Sequence, residues 1–69
     1  MAFGAAGYTS KALRDLAARK SKEIEAMRAI TNKASAENRD VTAEEDEKFK
    51  AHKAELTRID AAIEREETL

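Results

Sequence analysis

Apolar positions along this chain fall into two runs of helical period separated by a polar break. In the first run Leu13, Leu16, Ile24, Met27, Ile30 and Ala34 recur at helical steps. At 100° per residue they gather within an arc of about 80 to 100° on one helix face. Lys11, Lys22 and Lys33 fall on the opposite side. Lys20 interrupts the stripe near its centre, with Glu23 three residues on. In the second run Phe49, His52, Leu56, Ile59 and Ile63 follow a 3-4-3-4 spacing, the a/d seam of a coiled coil. The pattern predicts one helix over about 10–36, a turn over about 37–42 and a second helix over about 43–67. Residues 1–9, small and bearing both glycines, read as a flexible N-terminal arm.

The break carries the signals that end one helix and begin another. Ser10 suits the N-cap of the first helix. Asn38 suits the residue just past its end, because Asn tolerates the left-handed conformation that often terminates helices. Thr42 and Glu45 form the pattern T-x-x-E. The Thr42 hydroxyl can accept from the Glu45 backbone N–H while the Glu45 carboxylate reaches back to the N–H of Thr42, a capping box. Val41, just before the cap, is placed to staple onto the next helix. Glu44 to Glu47 put negative charge at the helix start, where the dipole favours it. Glu44 with Lys48 and Asp46 with Lys50 are i,i+4 pairs in the better orientation.

If the chain folds back at this break, the two stripes match in register. Opposed positions sum to about 79 or 80, given a turn centred near residue 40. Ile30 then faces Phe49, Met27 faces His52, Ile24 faces Leu56 and Leu16 faces Ile63, while Lys20 comes level with Ile59 and Asp60. The expected fold is all-α, an antiparallel helical hairpin with a coiled-coil seam, each arm about 35 to 40 Å long.

Composition agrees with that picture and narrows the function classes. Charged residues make up 39% and aromatics 4%, a long-helix composition. There is no cysteine or proline, so neither a disulfide nor a helix-breaking ring is available. Net charge is −1, which names no partner, but the arms differ. Residues 10–36 carry seven basic and three acidic side chains, a net of +4; residues 43–69 carry five basic and nine acidic, a net of −4. No apolar run approaches the roughly 20 residues of a membrane span. A lone hairpin of this size has little net stability without a staple. Self-association is therefore expected, or pairing of one arm with another chain.

No constellation suits catalysis, and an enzyme is not expected. His52 is the only histidine, and the serines have no base in an obvious triad. As a seam residue His52 reads first as a packed side chain beside Met27, and second as a pH-sensitive group, since imidazole titrates near neutrality. Consecutive acidic residues on a helix point in different directions, so Glu44 to Glu47 cannot converge on a metal ion. No cofactor is expected. The lysine side of the first helix lacks a groove-reading module or stacking aromatics, so specific nucleic-acid binding is not expected. Lys20 reads either as a lysine whose stem packs while its ammonium reaches water, or as a device that fixes register and partner choice.

Leu13-Arg14-Asp15-Leu16, then Ala34-Ser35-Ala36-Glu37-Asn38-Arg39-Asp40-Val41-Thr42-Ala43-Glu44-Glu45, then Leu56-Thr57-Arg58-Ile59-Asp60-Ala61-Ala62-Ile63-Glu64-Arg65-Glu66-Glu67 resemble the opening segment of tailed-phage major capsid proteins with the Hong Kong ninety-seven fold. Members often show a helix, a break of the form A-E-G-R-D-L-T-A-E-E, and a second helix ending in I-x-R-E-E. Here Asn38 stands for the usual Gly and Val41 for the usual Leu. The resemblance spans about residues 11 to 69. It implies a delta domain, a built-in scaffold inside the procapsid, in the cytoplasm of the host bacterium. Its implied partners are other copies of itself and capsid subunits, and a phage maturation protease is expected to remove it. The expected contacts are made by Leu13, Leu16, Lys20, Ile24, Met27, Ile30, Phe49, His52, Leu56, Ile59, Asp60 and Ile63. The alternative function is an unrelated helical-hairpin adaptor or regulatory module that binds a foreign protein.

Overall fold

The structure, a computed structural model, describes residues 10–69; the expected arm at residues 1–9 lies outside the described residues. Two α-helices pack against each other as a helical hairpin: α1, Lys11–Ala36, and α2, Ala43–Thr68. No strand occurs among the described residues. Each helix has 26 residues, or about 39 Å at 1.5 Å per residue. The described hairpin measures 50 × 21 × 13 Å, one helix thick in its shortest direction.

Local chemistry sets the helix ends. The Ser10 hydroxyl accepts from the Leu13 N–H at 3.1 Å, filling one of the donors that a helix start leaves open. At the far end of α1, Asn38 has a φ of 54°. That left-handed residue turns its own N–H and the next one back on the helix. Asn38 N–H donates to the Ser35 carbonyl at 3.0 Å, and Arg39 N–H donates to the Ala34 carbonyl at 3.0 Å. This is the paired-bond pattern of a Schellman end. Six residues later the capping box at α2 is complete: Glu45 N–H donates to Thr42 Oγ1 at 3.1 Å, and Thr42 N–H donates to Glu45 Oε1 at 2.9 Å. Val41 is half-buried. The residue four past the Thr42 cap is Asp46, however, so the expected hydrophobic staple lacks an apolar partner.

The core is thin. Only Ile59, 2% exposed, and Ala34, 4% exposed, are buried among the described residues. Ala34 sits in the last turn of α1, where a small side chain suits the close approach of helices joined by a short turn. Elsewhere the seam is half-buried, because each helix has a single neighbour and its remaining flanks meet solvent.

Candidate functional site

The candidate site is the helix–helix seam and the surface beside it. Apart from Ala26, which is half-buried beside them, the half-buried or buried positions on α1 run Leu13, Leu16, Lys20, Glu23, Met27, Ile30 and Ala34. These form an unbroken 3-4 alternation, and it places Glu23 rather than Ile24 in the seam. Ile24 is 37% exposed and stands at the seam's edge. Ile24 and Leu56 still line one groove between the helices, at the level where the register placed them opposite each other. On α2 the corresponding run is Glu45, Phe49, His52, Leu56, Ile59, Ile63 and Glu66.

Polar side chains occupy the middle of this seam. His52 Nδ1 lies 2.7 Å from Glu23 Oε1, across the two helices. The bond gives His52 a polar partner on α1, one turn before Met27, that apolar spacing did not single out. One turn farther from the hairpin's closed end, Lys20 Nζ meets Asp60 Oδ1 at 2.9 Å. Both of those side chains remain about half exposed, so the lysine stem packs while the ion pair stays in solvent. Arg19 Nη2 donates to Glu55 Oε2 at 3.2 Å, a third cross-helix bond that spacing did not single out. Of the two i,i+4 pairs expected on α2, Asp46 with Lys50 forms at 3.1 Å; no bond joins Glu44 to Lys48.

The turn holds a second cluster, built around Arg39. Its guanidinium grips Glu45 through two bonds, Nη1 to Oε1 at 2.8 Å and Nη2 to Oε2 at 3.1 Å. Its Nε donates to Glu37 Oε1 at 2.8 Å, and Nη1 also donates to the Asp40 carbonyl at 3.0 Å. A two-pronged guanidinium–carboxylate pair is stronger and more directional than a single bond. The hydrogen bond from Arg39, joined by the N–H of Thr42, holds the Glu45 carboxyl down at about 2 against an ordinary value of 4.5. The same bond to Glu45, with that to Glu37, pushes Arg39 upward. One carboxylate thus caps α2 and ties it to the end of α1. Sequence reasoning assigned Thr42 and Glu45 their roles and left Arg39 as a turn residue. The available signal was an arginine just past a helix end, six residues before the capping glutamate.

The two open flanks of the hairpin differ. One is spanned by the Arg19–Glu55 bond. On the other, Ile24, Met27, Arg28 and Thr31 of α1 and Phe49 and Leu56 of α2 line an open groove of about 260 Å³. Its walls are mostly apolar, with Arg28 and Thr31 at the α1 rim. Searches of protein-family models, curated proteins and solved structures found no match to this chain. Among the described residues no group of His, Cys, Asp and Glu is placed to hold a metal ion, and no helix is long and apolar enough to cross a membrane.

Proposed function

We propose that this chain is a scaffolding domain for capsid assembly, the delta domain of a tailed-phage major capsid protein, acting through helix–helix contacts and afterwards removed by a maturation protease. The observation that carries the proposal is a long hairpin in which only Ile59 and Ala34 are buried among the described residues and whose apolar groove is open to solvent. The resemblance of residues 11–69 to the opening of such capsid proteins supports it, and so does the chemistry that a scaffold requires. A scaffold must associate weakly, many times, and then leave. A seam interrupted by Lys20, Glu23 and His52 and a half-exposed apolar groove give contacts that are individually weak. Many subunits in one shell make such contacts decisive through effective concentration. A thin core also lets the arms fray, which exposes backbone to a protease. No part of this role calls for a catalytic group or a cofactor.

The test is shell assembly by a capsid protein carrying this hairpin, compared with the same protein lacking residues 1–69. Loss of closed shells, or shells of wrong size, is the expected result. Normal shells of normal size would sink the proposal.

A further inference from the structure

Ion pairs bracket the apolar groove at both ends. Toward the open end of the hairpin Lys20 meets Asp60 at 2.9 Å, and toward the turn Lys50 meets Asp46 at 3.1 Å. Between these neutralised pairs the groove edges carry two cations that meet no carboxylate among the described residues, Arg28 on α1 and Lys53 on α2. We infer that the groove takes an amphipathic helix of another polypeptide, one whose apolar ridge is flanked on both sides by acidic side chains.

Helical spacing places the two cations. Arg28 lines the groove itself. Lys53 stands four residues after Phe49 and three before Leu56. At 100° per residue it lies about 40 to 60° outside their stripe, on the groove side and away from His52 and Ile59. The two positions sum to about 81, close to the sum for opposed residues, so one cation stands on each wall at nearly the same level. Both side chains are exposed, while Met27, Phe49 and Leu56 form a half-buried apolar floor between them. A helix laid in the groove gains by covering that floor, the usual mode of helix-in-groove recognition. The charges on the walls then decide which helix is admitted. Acids on both sides of its ridge meet Arg28 and Lys53, whereas bases there set like charges against both walls. A second copy of this hairpin offers no such match. Its groove carries the same two cations, and its Asp46 and Asp60 are already engaged by Lys50 and Lys20.

This surface deepens the scaffold reading by giving one partner's chemistry and rests on that reading for its biological meaning, but the two fail separately. The probe is a synthetic peptide of about 20 residues, long enough to hold a helix in water, with a leucine ridge flanked on both sides by glutamates. A control peptide has lysines in place of the glutamates. Each is titrated into the full chain at low salt and followed by the amide NMR shifts of the chain. The glutamate peptide is expected to shift residues 24–31 and 49–56 and to bind at least about tenfold more tightly than the lysine peptide. The difference should shrink as salt is raised, because exposed charges are screened. Arg28→Glu together with Lys53→Glu should reverse the preference and leave the helical circular dichroism unchanged, since both side chains are exposed. No shift at millimolar peptide, equal binding of the two peptides, shifts centred on another face, or a preference that survives the charge reversal overturns the inference. None of these results affects the shell-assembly test, and normal shells without the hairpin would leave the peptide result standing.

Discussion

At the scale of single residues, the turn depends on a few side chains that each satisfy several backbone groups. Asn38 supplies the positive φ, Thr42 supplies the cap, and Glu45 serves both the Thr42 N–H and the Arg39 guanidinium. This makes Glu45 the titratable group most tightly tied to the fold. Its folded value of about 2 lies below the ordinary 4.5. A depressed carboxyl contributes stability that is fully present above its unfolded value and lost as pH falls through the folded one. Thermal melts of the hairpin are therefore expected to drop progressively between about pH 4.5 and pH 2. Glu45→Gln keeps a side chain that can still accept from Thr42 but removes the charge gripped by Arg39. It should lower the melting temperature at neutral pH and show little further loss over that acid window. A variant that tracks the parent down the whole acid limb would contradict this role. Asn38, Thr42 and Glu45 were legible in the sequence because capping is local. Arg39 was not, because its partner lies on the next helix and only the turn's geometry brings the two together.

At the scale of elements, both helices announce themselves by period, yet period leaves the seam ambiguous by one position. Ile24 is the more apolar residue, and Glu23 is the one placed in the seam. The choice follows from the opposing helix, where His52 offers Glu23 a bond at 2.7 Å. The pair fixes how α1 and α2 slide past each other, since a shift of one turn would leave both groups unpaired at the interface. Replacing both by leucine should therefore raise stability by about 1 kcal/mol, as apolar replacement of an ionisable pair often does. It should also relax the register. The checks are a denaturant titration for the first effect and, for the second, the spread of distances between spin labels on the two helices. A double-leucine variant that is less stable than the parent would show that the pair contributes more than register. The Lys20–Asp60 bond, 2.9 Å long, was foreseeable by counting from the turn. The Arg19–Glu55 bond was not, because long flexible side chains reach diagonally across levels.

At the scale of the whole molecule, the decisive fact is how little is buried. Ile59 is 2% exposed and lies in the seam between the two helices. Ile59→Ala should cost about 2 to 5 kcal/mol, the size of the entire stability of many scaffolds this small. The expected outcome is loss of most helical circular dichroism for the dilute monomer. Part of it should return at high protein concentration, since association stabilises the folded form by mass action. A fully helical variant at low concentration would mean that the helices do not depend on their mutual packing.

The sequence by itself determined the two helices, the site of the turn, the capping chemistry and the level at which Lys20 meets Asp60. All of these follow from period, local hydrogen-bond partners and rise per residue, which need no knowledge of a partner surface. Only the tertiary structure decided that Glu23 and His52 share the seam, that Arg39 joins the two helix ends, and that Ile24 is left at the rim of an open groove. Those outcomes depend on which side chains of one helix can reach the other. That reach is set by crossing geometry and rotamers rather than by spacing along either strip of sequence.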